Sequence, residues 1–301
     1  MSNFSRPSNP PTGETLTTDV KRMSSSMRFN KVLTAIGSHA ILIFFTVIIV
    51  YPVLWMVLTS FKTNDEVVTN IWGFPRILQW TNYTNAWVEA DLGSALFNST
   101  IISLLTLILV ICFASVAAYA LARFSSRWLT VILLIFVFTM QTPTPIIPLY
   151  VEVAKLHLTN SQAGLILVEA AGSLPLAIFI FRAFFQGIPR ELMDAANVDG
   201  CSDLRAFLSV VIPISGPAIA TVGILQFVGT WNEYFLPLLL VRNPVMRTIP
   251  LAIQVFFYNW GRTEWAYVFA SLSIATIPII IIYVILARQF IQGLTAGALK
   301  G

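Results

Sequence analysis

Charge is what this sequence has least of. Asp, Glu, Lys and Arg make up 11% of its 301 residues while hydrophobic residues make up 56%, whereas soluble domains carry about 25% charged residues. A soluble core cannot hide that much apolar surface; a bilayer accepts it, at roughly 20 apolar residues per helical crossing. The formal net charge is only +4, and the Lys and Arg residues lie at the ends of apolar runs, so no basic face exists for a nucleic acid. Cysteine and histidine are equally sparse. Cys112 sits inside an apolar run and Cys201 in a polar stretch, a spacing that builds neither a disulfide framework nor a zinc site. His39 and His157 have no neighbouring ligands, so no metal is expected. No G-x-x-x-x-G-K-[ST] loop occurs, so ATP hydrolysis by this chain is not expected. No Ser, His and Asp constellation can be assembled either, and the chain is expected not to be an enzyme or to hold a cofactor of its own.

What is present is a series of long apolar runs. Residues 1–30 are rich in Ser, Thr, Pro and Asn and cannot repay the entropy of ordering, so they read as a disordered tail. The run from Ala35 to Leu58 is too long for a signal-peptide core and has no cleavage site after it, which predicts a retained spanning helix. Further runs of spanning length occur at Ala95–Leu121, Trp128–Tyr150, Ala163–Phe184, Ile214–Val241 and Tyr267–Ala287. Continuous runs without strand-like alternation predict helices. The expected fold class is all-α, a polytopic membrane domain over 31–301 with six transmembrane helices. Parity then assigns the loops. Arg22, Arg28, Lys31, Arg123, Arg127, Arg182, Arg190, Arg205 and Arg288 fall on one side and fewer basic residues on the other, which predicts cytoplasmic N- and C-termini. Trp72, Trp80, Tyr83, Tyr150, Tyr258 and Trp260 cluster near the opposite boundary, as interfacial anchors or as packing in outer loops.

The segment 188–213, between the fourth and fifth runs, reads as helix, turn, helix. Pro189 suits a first helical position, Glu191 and Asp194 put negative charge near the helix N-terminus, Gly200 can adopt the left-handed stop, and Ser202 can cap the second helix. Ala195 and Ala196 carry almost no side chain, so another surface can approach closely while the carboxylates meet basic groups.

Asp194, Ala195, Ala196 and Gly200, with Val210, Val211, Ile212 and Pro213 after them, resemble the EAA loop of ABC-importer permeases. Phe61 to Asn64 with Asn82, Tyr83 and Ala86, then Trp231 to Tyr234, then the ending Gln292 to Gly301, resemble its carbohydrate branch, in particular the second membrane subunit of maltose-type systems. The resemblance implies the type I permease fold in a bacterial inner membrane. It also implies a homologous permease as partner, two cytoplasmic ATPase subunits that bind ATP and Mg, and an extracytoplasmic solute-binding protein delivering a carbohydrate, with glycerol phosphate and polyols left open. The ATPase would dock on the coupling residues Glu191, Asp194, Ala195, Ala196, Gly200 and Pro213. Asp194 stands where the family has glutamate, which shortens the reach of the carboxylate by one methylene. The tail 288–301, with Thr295, Gly297 and Lys300, would reach the ATPase pair or else fray.

Polar residues inside the apolar runs mark a path. Gln226, Thr230 and Glu233 share one helical face, and Trp231, Asn232 and Tyr234 beside them offer a ring face and amide groups to a sugar. Gln141 lies where Pro143, Pro145 and Pro148 interrupt the third run, predicting a kink or unwinding that either lines a cavity or packs. Glu169, in the fourth run, is an intramembrane carboxyl, which is costly enough to need a purpose or a partner. The rival reading of these acids is an ion-coupled secondary transporter of a small polar solute; a membrane-embedded enzyme is a remoter one.

Overall fold

The computed structural model describes residues 37–142, 144–257 and 261–298, with side chains to position 289. The tail expected over 1–30, and with it Tyr258, Trp260 and Lys300, lies outside the described residues, while Thr295 and Gly297 are described only as helical backbone. Among the described residues every regular element is a helix. In chain order these are α1 (Gly37–Thr59), α2 (Asn64–Thr69), α3 (Thr81–Glu89), α4 (Leu92–Arg123), α5 (Arg127–Gln141), α6 (Ile146–Lys155) and α7 (Gln162–Gln186). After them come α8 (Arg190–Val198), α9 (Asp203–Ala206), a π-helical turn (Phe207–Val211), α10 (Ile212–Ile214), α11 (Gly216–Asn232), α12 (Phe235–Leu240), a 3-10 turn (Pro244–Met246), α13 (Ile249–Ile253), a second 3-10 turn (Gln254–Phe257) and α14 (Trp265–Ala298).

The chain divides into two units, Met1–Met56 and Val57–Gly301. The first contributes most of α1, an apolar helix of 23 residues. In the second, α4 with 32 residues, α7 with 25 and α14 over Trp265–Gln289 each exceed the length needed to cross a bilayer. Two bent pairs complete the count: α5 with α6, bent by 116°, and the Asp203–Ile214 stretch with α11, bent by 75°. Taking each pair as one span gives six crossings, as the composition implied.

Helix α4 is the centre of the second unit, and its most extensive packing is against α7. Its buried face carries Ser99, Ser103, Thr106, Ala114, Ser115 and Ala118, small residues that let two membrane helices approach where no hydrophobic force draws them together. Leu104, Leu105, Ile108, Phe113 and Val116 on the other face are exposed, as lipid contact requires. Toward its C-terminus α4 joins Phe181, Phe185, Met193, Phe207 and Val211 in one buried cluster. Near its start, Ala86, Leu92, Phe227, Trp231, Phe256 and Val268 form another.

The breaks have local causes. Pro213 and Pro217 lack the N–H that would continue the helical ladder, so the chain widens into the π-helical turn and bends at Ser215, whose hydroxyl donates to the Val211 carbonyl. The fifth run, expected to stay helical to Val241, stops at Asn232. Glu233 becomes extended there, and its Oε1 accepts the amides of Phe235 at 2.7 Å and Leu236 at 3.0 Å. A side chain that satisfies the first amides of a new helix ends the old one.

Candidate functional site

Helix α8 is anchored by two side chains. Met193 and Ala196, three residues apart and therefore on one face, are 6% exposed each and enter the cluster of Phe181, Phe185, Phe207 and Val211. Tyr119 of α4 packs on Phe207 and Phe185, with ring centroids 5.0 and 6.4 Å apart, and its hydroxyl reaches the Asp203 carbonyl at 3.5 Å. Arg123 Nε lies 3.9 Å from Asp203 Oδ1. Glu191, Asp194 and Ala195 are exposed. Ala195 and Ala196 therefore do not share an approach surface: about 100° of helix separates consecutive residues, and the second alanine packs inward against its own chain. Pro189 takes the N-cap position with ψ 135°, one place before the first helical position expected for it.

The helix stops as its glycine dictates. Gly200 has φ +74°, the Cys201 amide donates to the Ala196 carbonyl at 2.9 Å and the Gly200 amide to the Asn197 carbonyl at 3.0 Å. Those two bonds are the paired closure of a Schellman motif. Ser202 then accepts the Arg205 amide at 3.4 Å, and Pro213 is exposed at the bend into α11. A cavity of about 620 Å³ opens between this segment and the end of α4, lined in part by Tyr119, Arg123, Phe185, Arg190, Met193 and Asp194.

A second cavity, about 310 Å³, lies between α7 and α11. Glu169, Gln226, Thr230 and Glu233 all line it, so four of the expected path residues meet in one cleft. Gln226 Nε2 donates to Thr230 Oγ1 at 2.9 Å. Glu169 is 8% exposed, and its Oε1 has no hydrogen-bond partner among the described residues. Three others stand elsewhere. Trp231 is 1% exposed, stacked on Phe227 at 5.4 Å, and donates Nε1–H to the Ala275 carbonyl, so its ring joins α11 to α14 and is closed to a sugar. Asn232 points away and donates to the Val228 carbonyl at 2.9 Å. Gln141, exposed at the end of α5, does not line the cleft. Sequence reasoning misses Gly172 and Gly229, which line the cleft beside the acids; their signal is their spacing, three residues after Glu169 and after Gln226.

The end of the unit away from α8 is tied by side-chain amides. Asn82 Nδ2 donates to the Ser60 and Lys62 carbonyls at 2.7 and 2.8 Å, and Thr63 and Glu66 form a reciprocal capping box. Lys62, 1% exposed, donates to the Asn70 and Ile71 carbonyls; burial pushes its pKa below the ordinary 10.5, with Glu66 acting in the opposite sense. Asn98 Nδ2 holds the Val245 and Arg247 carbonyls while its Oδ1 accepts from Gln162. The Phe61-to-Asn64 and Asn82-Tyr83 patterns are thus two halves of one hydrogen-bonded lobe.

Residues 111–296 match the family model described as "Binding-protein-dependent transport system inner membrane component". The sulfoquinovosyl glycerol transport system permease protein SmoH of Agrobacterium fabrum is 38% identical over 254 residues, covering 83% of this chain and 89% of that protein. The diacetylchitobiose uptake system permease protein NgcG of Streptomyces coelicolor is 31% identical, covering 92% and 91%. The melibiose/raffinose/stachyose import permease protein MelC of Bacillus subtilis is 31% identical, covering 92% and 98%. Among solved structures, a chain of a bacterial ABC transporter that imports the acidic polysaccharide alginate superposes with a TM-score of 0.70 at 23% identity, covering 88% of this chain and 98% of that one; this likeness concerns the fold.

Proposed function

Because the chain belongs to the family of inner membrane components of binding-protein-dependent transport systems, we propose that it is the permease subunit of a carbohydrate importer whose ATPase docks on α8. The relatives named above are named for a sulfonated glycosyl glycerol, a chitobiose derivative and the sugars melibiose, raffinose and stachyose, which supports carbohydrate as the substrate class. The expected partners are a homologous second permease, two ATPase subunits that bind ATP and Mg, and an extracytoplasmic binding protein. The α8 end and both termini then face the cytoplasm.

The observation that carries the docking reading is the division of α8 into two faces. Met193 and Ala196 are embedded in the α4–α7 core, while Glu191, Asp194 and Ala195 point outward. A push on the outer face therefore moves side chains packed on Tyr119, Phe185 and Phe207. Close-packed interiors transmit such displacements instead of absorbing them. The bundle would alternate between inward-open and outward-open packings, each ATPase state favouring one of them. The cleft holding Glu169, Gln226, Thr230 and Glu233 is the stretch of the path this subunit contributes.

The test is Ala195→Trp in the reconstituted assembly. Ala195 is exposed, so the thermal unfolding temperature should stay unchanged, whereas overpacking the docked surface by more than about 1.4 kcal/mol should cut coupled ATPase activity and uptake at least tenfold. Unchanged coupling would remove the docking assignment. Uptake that survives deletion of the ATPase subunits and collapses with the proton gradient would establish an ion-coupled carrier instead.

A further inference from the structure

We infer that the cleft between α7 and α11 is a charge-selective subsite, one that accepts sugars without anionic substituents, including amine-bearing ones, and turns away carboxylated or sulfonated sugars. The inference rests on the transport role proposed above and specifies its substrate class.

Three observations meet in the cleft. The first is Glu169, more than nine-tenths buried, lining the cavity with an oxygen that no described residue satisfies. A carboxyl inside a spanning helix is expensive, and an unanswered acceptor adds to that cost; a ligand hydroxyl or ammonium arriving through the cleft would relieve both. The second is the chemistry of the remaining wall. Glu233 is the other ionisable group lining it, and no Lys, Arg or His among the described residues does so. Gln226 commits one of its two amide N–H groups to Thr230 and Ser173 directs its hydroxyl to the Glu169 carbonyl at 2.8 Å, which leaves one Gln226 N–H and the Thr230 hydroxyl against the carboxyl oxygens of Glu169 and Glu233. Acceptors are in surplus, which suits ligands that donate hydrogen bonds. Neither state of a carboxyl holds an anion well here: ionised it repels one, and protonated it brings no positive charge.

The third observation is space. A Cβ built on Gly172 or on Gly229 would meet nothing within 4 Å, so backbone packing does not require either glycine. What their missing side chains leave open is the cleft itself, between Glu169 and Leu176 on α7 and between Gln226 and Glu233 on α11. A volume of about 310 Å³ lies at the lower bound for small-ligand pockets, enough for a sugar unit passing through in contact with this wall.

Gly229 also supplies the probe position. In the complete importer in lipid nanodiscs, with Cys112 and Cys201 replaced by alanine, a Gly229→Cys variant would be treated with cationic 2-aminoethyl or anionic 2-sulfonatoethyl methanethiosulfonate, each rate divided by that for 2-mercaptoethanol. The expected result is a normalised preference for the cationic reagent of at least roughly tenfold. It should fall to about unity with Glu169→Gln plus Glu233→Gln and persist with Glu169→Asp, which keeps the charge and controls for folding. A ratio near unity with both glutamates present, or a thiol that neither reagent reaches, would overturn the inference. ATP-dependent uptake assayed on the same preparations separates the two claims. Uptake that stays ATP-driven beside a ratio of unity defeats the charge selection alone; a preserved ratio beside ATPase-independent uptake defeats the importer reading and leaves the charge of the cleft standing.

Discussion

The lobe around Asn82 and helix α8 are fastened to the same bundle by opposite means. Around Asn82 the fastening is directional. Its amide spans the Ser60 and Lys62 carbonyls, the Ser60 hydroxyl pairs with Tyr83 at 2.7 Å, Lys62 holds Asn70 and Ile71, and Asn64 donates to Thr263 at 3.2 Å. Helix α8 has no side-chain cap at its start and relies on Met193 and Ala196 buried among aromatic rings. Hydrogen bonds lose strength steeply with misalignment, whereas apolar contact is non-directional and survives a small slide. Within the second unit, one region is thus held by directional bonds and the other by contacts that tolerate a small slide. That asymmetry suits the docking proposed for α8, in which force would arrive at the end held by apolar contact.

The largest effect should come from breaking the directional end. Asn82→Leu fits a similar volume but leaves the carbonyls of two buried residues without a donor; at about 1–3 kcal/mol for each unmade bond, a loss of about 4 kcal/mol is expected, read as a lower unfolding temperature of the purified assembly. An unchanged temperature would mean that the amide lattice is ornamental. Met193→Ala should cost less, about 2–3 kcal/mol for a buried side chain at the margin of the core, and its signature should be local. Hydrogen exchange should accelerate over 190–203 and remain slow over 60–92. Equal acceleration of both segments would erase the distinction between the two ends.

The helical class and the number of crossings were legible because apolar run length is a direct measure of a bilayer. The α8 turn was legible for a similar reason: Gly200 and Ser202 act through their own backbone and nearest amides. What stayed hidden depends on neighbours far along the chain. Trp231 looked like a sugar platform because its stacking partner and the Ala275 carbonyl are known only after α11 and α14 pack. Asn98, which ties α4 to the loop before α13 and to the start of α7, gives no local sign of that role. Ala196 was misjudged through orientation, since small size alone does not say which surface a residue turns toward. Glu169 was singled out by cost alone, and only the packed helices show which groups face it.

The smallest effect concerns Asp194, where the family resemblance sets a glutamate. Asp194 is exposed on α8 and lines the cavity with Arg123 and Arg190, so neither packing nor a buried bond fixes its length. Asp194→Glu should accordingly leave stability within about 0.5 kcal/mol, the range of exposed substitutions. If the ATPase is gripped through charge, the added methylene should raise coupled ATPase activity by no more than about fivefold, since exposed ion pairs are worth ~0.2–1 kcal/mol and weaken with salt. The gain should disappear at about 1 M salt, where the Debye length is ~3 Å. A tenfold gain, or one that persists in high salt, would show that the side chain enters a desolvated pocket of the ATPase. The outer face of α8 would then be a shaped plug, and the contrast with the lobe around Asn82 would lie in which surface is completed by a partner.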